Sequence, residues 1–332
     1  MTRLKNWFLG IIRFIFTAKN WTHRKRLWLL ALIVLRWIVL FCREYGLTFG
    51  KKSLKGEHVF LTGAGSGLGR SMAIKMGKMG CKMSISDINL VGLEETKDLM
   101  IKAGIPADNI FSFQLDVSKK SSISENAEKC RQAHGYVTLL INNAGIVSGK
   151  TTLELSEAMI ERTIAVNTTS HLYTIREFLP DMIKNKKGHI VSIASMAGLA
   201  GIPGLSDYCA SKSGAVSIDE SVRLELKKSG NHKYVKTTCI CPYYINTGMF
   251  DGVKNAFPMY ILSTNEVVAR ILNGIRQEEE QVIIPWRGNI VVIARLLPVS
   301  VADWVGKVCG LGNCMDDFTG RGSDENRLPG IQ

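Results

Sequence analysis

Ser195, Tyr208 and Lys212 are the residues whose types and spacing point to chemistry. Tyr208 and Lys212 are four apart, which on a helix places them one above the other on a single face. An ammonium beside a phenol favours the phenolate and lowers the tyrosine pKa from its reference near ~10 toward neutrality. A tyrosine tuned in this way takes a proton from an alcohol or returns one to a carbonyl. Ser195 lies thirteen residues upstream of Tyr208 and ends the apolar run HIVSIAS, which reads as a buried strand. Its hydroxyl then emerges at the strand's carboxyl end, where open α/β sheets hold their ligands. A Tyr and a Lys at this spacing also occur on ordinary exposed helices, so the surroundings decide.

Those surroundings are short apolar strands alternating with helices from His58 onward. HVFLT, KMSISD, IFSFQLD, YVTLLINN, HIVSIAS and VKTTCICP read as six strands, and QVIIP near the end as a seventh. Helices are expected at RSMAIKMGKMG, around Val91–Ala103, at Ser121–His134, as a long helical stretch over Ser156–Asn185, and over Tyr208–Lys228. Alternating βα units with continuously apolar strands predict an α/β fold whose doubly wound parallel sheet of about seven strands is covered on both faces.

The first strand runs into Thr62-Gly63-Ala64-Gly65-Ser66-Gly67-Leu68-Gly69 and then into a helix, the context a dinucleotide site requires. Glycine lets the backbone turn sharply and approach a pyrophosphate, whose charge meets the helix N-terminus. Asp87 ends the second strand, eighteen residues beyond Gly69. A carboxylate there accepts hydrogen bonds from the ribose hydroxyls of NAD and repels a 2′-phosphate, so NAD(H) is expected over NADP(H). Asp116, after the third strand, is placed to meet the adenine amino group. Asn142-Asn143-Ala144-Gly145 ends the fourth strand, and Asn167 sits mid-helix although asparagine is a mediocre helix former.

The chain has 332 residues and a formal net charge of +13. Residues 1–52 hold eleven Lys/Arg against the single acid Glu44, so +10 of that charge lies there. The remainder is near neutral, which argues against nucleic acid as a partner and for a membrane-facing end. Residues 4–16 are apolar and aromatic, and the run LWLLALIVLRWIVLFC at 27–42, interrupted by Arg36, falls just short of the ~20 residues that span a bilayer. No small-residue cleavage site follows it, so a signal peptide is not expected. Lys/Arg flank the run on both sides, which fits a hairpin or an in-plane helix with both ends cytosolic, and a single span stays open. The eight cysteines and six histidines match no zinc spacing; reduced thiols and no metal are expected.

TGAGSGLG, NNAG, Asn167, Ser195 and YCASK, in this order and at these spacings, resemble the short-chain dehydrogenase/reductase superfamily over about residues 55–250. Asp87-Ile88-Asn89, KKGHIVSIASMAG and TTCICPYYINTGMF are similar to a membrane-bound branch that holds epidermal-type retinol dehydrogenases and lipid-droplet 17-beta-hydroxysteroid dehydrogenases. One departure is Pro242-Tyr243 where the superfamily often has Pro-Gly. The resemblance implies Tyr208 as general acid/base, Lys212 as the group that lowers its pKa and holds the nicotinamide ribose, and Ser195 as the donor to the substrate oxygen. It implies Asn167 as the residue that positions a proton-relaying water. Gly63, Ser66, Gly67, Leu68, Gly69, Asp87, Asp116, Val117, Asn143, Ala144, Gly145, Tyr208, Lys212 and Thr247 would bind the cofactor.

Three regions follow: a membrane anchor at 1–52, a Rossmann-type catalytic domain at 55–285, and an apolar stretch with a loose polar tail at 286–332. The apolar stretch reads as a lid, a second membrane-lying helix, or the seventh strand with a packing helix. The expected activity is hydride transfer between NAD(H) and a lipophilic alcohol or ketone, retinol first, with sterols and long-chain keto-lipids as alternatives. A non-catalytic scaffold is the reading from another class, but it has no need of Asn167, Ser195, Tyr208 and Lys212 together. The resemblance places the chain at the endoplasmic reticulum membrane with the catalytic domain cytosolic, with lipid droplets as a second location and a homodimer left open.

Overall fold

The computed structural model describes residues 50–320 and six single positions between residues 28 and 42. The expected membrane segment therefore lies almost wholly outside the described residues. Among the described residues no helix is long and apolar enough to cross a membrane, and no cluster of His, Cys, Asp and Glu could hold a metal ion. By contacts the chain divides into Met1–Phe49 and Gly50–Gln332.

The second unit is built on seven strands: β1 (His58–Thr62), β2 (Lys82–Asp87), β3 (Ile110–Gln114), β4 (Leu139–Asn142), β5 (Gly188–Ile193), β6 (Val235–Pro242) and β7 (Gln281–Ile284). All pair in parallel, in the order β3-β2-β1-β4-β5-β6-β7. Helices α1 (Gly67–Lys78), α2 (Leu90–Lys102), α3 (Lys120–His134), α4 (Glu157–Ile164), α5 (Ser170–Lys184), α6 (Ser206–Lys228) and α7 (Thr264–Arg276) make the crossovers, and α8 (Asn289–Ala294) and α9 (Val299–Val308) follow β7. Every residue of β1, β4 and β5 is buried, as strands covered on both faces must be.

The core divides accordingly. Val59, Leu61, Met83 and Ile85 point toward α1, α2 and α7, where Met72, Met76 and Ile271 meet them. Phe60, Leu140 and Ile190 point the other way, toward α3, α5 and α6. There Phe60 stacks against Phe178 at 4.6 Å and Phe113 at 5.7 Å between ring centres, contacts that add to the area they bury. The strand order reverses between β1 and β4, and the crevice above that switch point is where ligands of open sheets bind.

The helical stretch expected over Ser156–Asn185 forms, with a π turn at Ala165–Thr169 joining α4 to α5. The polar run Asn167-Thr168-Thr169 bonds sideways instead of sitting idle in a regular helix: Thr168 Oγ1 donates to the Ser211 carbonyl at 2.7 Å. Such turns recur at functional sites. Of the tail expected to be loose beyond Cys314, residues 321–332 lie outside the described residues, and 315–320 are tied to the loop at 251–254. Cys314 is buried, its carbonyl accepts from Lys254 N at 2.9 Å, and Thr319 N donates to the Asp251 carbonyl at 2.9 Å. Lys254 Nζ also pairs with Asp317 at 2.7 Å, and Phe318 packs against the core.

Candidate active site

The glycine turn is braced from below by the end of β4. Thr62 Oγ1 accepts from the backbone N–H groups of Asn143 and Ala144, both at 3.0 Å. Asn143 Nδ2 returns two bonds, to the carbonyls of Thr62 at 2.9 Å and Gly63 at 3.0 Å. This closeness is why glycine is required: a Cβ on Gly69 would overlap the Gly63 carbonyl oxygen, and one on Gly63 would stand 2.8 Å from Ala144 Cα. α1 starts at Gly67 with Ser66 in extended backbone and its side chain not capping the helix. The first N–H groups of α1 are thus left for an anion.

Asp87 lies beside this turn. Its Oδ2 accepts from Gly65 N at 2.8 Å and its Oδ1 from Asn89 N at 2.9 Å. Arg70 and Thr96, which sequence reading passed over, complete the brace: Arg70 Nε donates to Thr96 Oγ1 at 2.9 Å, and Thr96 Oγ1 donates to the Ala64 carbonyl at 2.8 Å. No spacing rule points to such bonds, because they join α1 and α2 across the loop. Beyond β3, on the same half of the sheet, Asp116 Oδ1 accepts from Ser118 N at 3.0 Å and Ser118 Oγ at 2.6 Å.

Ser195 stands just beyond β5 in extended backbone, and its Oγ accepts from Ala197 N at 3.1 Å. Tyr208 and Lys212 lie on α6 and are buried, at 5 % and 3 % exposure. The lysine Nζ donates to the Ile193 carbonyl at 2.8 Å and lies 5.8 Å from the Tyr208 ring centre. Burial pulls the lysine pKa down to about 8, opposed by the Cys239 and Cys241 thiols. Burial also raises the Tyr208 phenol well above its usual range, and the opposing pull comes from the Ser195 hydroxyl. Both groups are desolvated, and the Ser195 hydroxyl favours the phenolate.

Asn167, wholly buried in the π turn, receives Ile146 N on Oδ1 at 2.9 Å. Its Nδ2 donates to the Ile146 carbonyl at 2.8 Å and to Ser211 Oγ at 2.9 Å. It lies one layer behind the cavity: a Cβ on Gly145 would stand 3.4 Å from both Asn167 Oδ1 and Lys212 Nζ.

One cavity of about 590 Å³ unites these groups. Gly63, Ser66, Leu68, Gly69, Asp87, Asp116, Val117, Asn143, Ala144, Gly145, Ser195, Tyr208, Lys212 and Thr247 all line it; Gly67 and Asn167 do not reach its wall. The end nearest Tyr208 is aromatic, which the sequence did not announce. Phe250 lies edge-on to Tyr208 at 5.6 Å and to Tyr244 at 5.0 Å, and Tyr244 in turn meets Tyr243 at 4.7 Å. Tyr243, the departure noted after β6, is buried, and its hydroxyl accepts from Ala256 N at 3.1 Å. The ring there anchors the loop over the cavity. The arrangement suits an elongated, anionic, two-ended ligand at the glycine turn and an apolar molecule with one oxygen at Ser195 and Tyr208.

A family model described as short chain dehydrogenase matches residues 57–256. The chain is 38% identical over 271 residues to epidermal retinol dehydrogenase 2 of Homo sapiens, which covers 81% of this chain and 87% of that protein. It is 37% identical over 249 residues to estradiol 17-beta-dehydrogenase 11 of Macaca fascicularis, covering 75% and 81% respectively. Among solved structures, a short chain dehydrogenase/reductase from Burkholderia phymatum in complex with NAD superposes with a TM-score of 0.67 at 25% identity, over 74% of this chain and 95% of that one. Matched along most of its length, and carrying its serine, tyrosine and lysine on one cavity, the chain belongs to the short-chain dehydrogenase family.

Proposed function

We propose that the chain is an NAD(H)-dependent dehydrogenase of lipophilic alcohols, retinol being the first substrate to test. The observation that carries this reading is the single cavity in which a glycine turn and Asp87 at one end meet Ser195, Tyr208 and an aromatic wall at the other. The cradle fits a dinucleotide: the glycine positions where a Cβ would clash leave the backbone open to a pyrophosphate, and the free N–H groups of α1 face it. Asp87 would take the adenine ribose hydroxyls, Asp116 and Val117 the adenine, and Thr247 with Lys212 the nicotinamide end. When bound, the nicotinamide ring accepts or supplies hydride.

The protein's own groups do the rest. Ser195 and Tyr208 orient the substrate oxygen by hydrogen bonds, and Tyr208 takes the alcohol proton or gives one to the ketone. The phenolate form takes the alcohol proton and the phenol form gives one to the ketone, and the Ser195 hydroxyl favours the phenolate against the opposing effect of burial. Asn167 holds the loop at Ile146 and the helix at Ser211 together, which fixes the distance between Gly145 and Lys212. Phe250 and Tyr244 exclude water from the oxygen's surroundings.

Identity to estradiol 17-beta-dehydrogenase 11 supports a second reading, a hydroxysteroid substrate. We further assign residues 1–52 as the anchor on the endoplasmic reticulum, with the catalytic domain from 55 on the cytosolic face and lipid droplets as a second location. Their apolar runs and positive excess support this. Membranes from cells expressing the full chain, given retinol, estradiol and a 3-keto-lipid with NAD(H) or NADP(H), test the substrate reading. Turnover of retinol with NAD above the other pairs is expected; turnover of none would overturn it. Protease added to intact microsomes should digest the catalytic domain, and protection until detergent is added would contradict the topology.

A further inference from the structure

Helices α8 and α9 contain no buried residue. The exposed side chains on them and on the turn between them are mostly large and apolar: Leu296 and Val299 at 76 %, Val308 at 67 %, Trp304 at 65 %, and Ile290 at 51 %. Helices this short hold their shape by packing a face, yet here Ile290, Ile293, Val299, Trp304 and Val308 point outward. The loop bearing Phe257, 77 % exposed, joins the same surface through a 2.9 Å bond from Phe257 N to the Cys309 carbonyl.

Two further observations say what covers this face. Residues 286–309 carry Arg287, Arg295 and Lys307 against the single acid Asp303. A second copy of the chain would bring the same positive face against itself, whereas anionic headgroups above an acyl layer satisfy both the charge and the apolar side chains. Trp304 and the long basic side chains are also residue types that settle at such an interface. The face moreover adjoins the cavity. Val291, on α8 between exposed Ile290 and Val292, lines it, as does Leu311 just after α9. Arg295 Nη1 donates at 2.6 Å to the Leu199 carbonyl, beside the cavity-lining Ala200–Ile202.

We propose that α8, α9 and the loop at Phe257 form a face that lies on an anionic lipid surface and opens the cavity toward it. An apolar substrate then passes from lipid to Tyr208 without crossing water. This rests on the lipophilic-alcohol reading above and assigns to residues 289–308 a role separate from that of the N-terminal segment.

The test uses the full chain in vesicles of phosphatidylcholine, with or without phosphatidylserine. Amide hydrogen exchange at 289–308 should slow about fivefold or more in the anionic vesicles while α3 is unchanged. The double variant Leu296→Asp with Trp304→Asp should lose about tenfold in kcat/KM for vesicle-borne retinol and less than about twofold for a short water-soluble allylic alcohol. Equal exchange in both vesicles overturns the proposal. So does an equal loss on both alcohols, which would mean that the face packs the fold, or a loss on neither. Protection that grows with protein concentration in the same vesicles would identify a second copy instead and also overturns it. If the wild type oxidises neither alcohol, the alcohol reading fails and hydrogen exchange alone decides the docking.

Discussion

Replacing Asp219 with asparagine should stabilise the protein at alkaline pH and lose that advantage in acid. Asp219 faces the sheet from α6 at 2 % exposure, and its Oδ1 has no hydrogen-bond partner. Burial raises its carboxyl from 3.8 to about 7, against opposing pulls from Ser192, Arg223 and Thr237. The unfolded carboxyl ionises near 4, so above pH 7 folding must bury a charge that water solvated well. That cost is complete above pH 7 and fades as pH falls from 7 toward 4, where the folded and unfolded chains are both protonated. At ~1.4 kcal/mol per pH unit the interval corresponds to roughly 4 kcal/mol, an upper bound. The amide of Asp219→Asn must still find acceptors for its two N–H groups, so a net gain of about 2 kcal/mol at pH 8 is expected. Thermal unfolding of the full chain in mild detergent, followed by near-ultraviolet circular dichroism at pH 8 and pH 5, reads the difference. A variant less stable than wild type at pH 8, or a gain that is the same at both pH values, would refute the reasoning.

Three other substitutions probe separate parts of the account. Asp87→Ala removes the carboxylate beside Gly65, so the NAD-over-NADP preference should narrow by about tenfold in side-by-side kinetics; an unchanged ratio would show that another group sets it. Gly69→Ala puts a Cβ into the Gly63 carbonyl, and a loss of at least about tenfold in NAD affinity, with about 1–3 kcal/mol of stability, is expected from calorimetric titration and melting. Tyr243→Phe strips the acceptor from Ala256 N and should cost about 1–2 kcal/mol, because it leaves a buried N–H unpaired. No loss on melting would mean that the loop is anchored otherwise.

The sheet was largely legible because each strand is a continuous apolar run between breakers: β1, β2 and β6 coincide with the runs HVFLT, KMSISD and VKTTCICP. The glycine turn, Asp87, Ser195, Tyr208 and Lys212 were legible because their chemistry constrains spacing along the chain. What escaped depends on contacts between distant segments. Asn167 was identified, yet its partners Ile146 and Ser211 and the π turn that delivers it come from the meeting of α6 with the loop after β4. The aromatic run from Tyr243 through Tyr244 and Phe250 to Tyr208 spans both sides of the site and has no sequence period. The burial of Tyr208 and Lys212 was not legible either, because a tyrosine–lysine spacing conveys proximity but not the desolvation that both groups share. After β7, the apolar stretch was open to several readings; β7 itself formed, and α8 and α9 leave Ile290, Ile293, Val299, Trp304 and Val308 outward.

The claim on which the rest depends is that Tyr208 is the proton-transferring group. Phenylalanine at 208 keeps the ring that packs edge-on against Phe250 and removes only the hydroxyl. Retinol oxidation by the full-length Tyr208→Phe chain in membranes, measured at saturating NAD together with NAD affinity, tests it most directly. The account predicts a fall in kcat of about 10³-fold or more with NAD affinity within about twofold of wild type. Retention of more than roughly a tenth of the wild-type rate would contradict it, since general acid–base catalysis by a positioned side chain is worth about 10²–10⁴-fold.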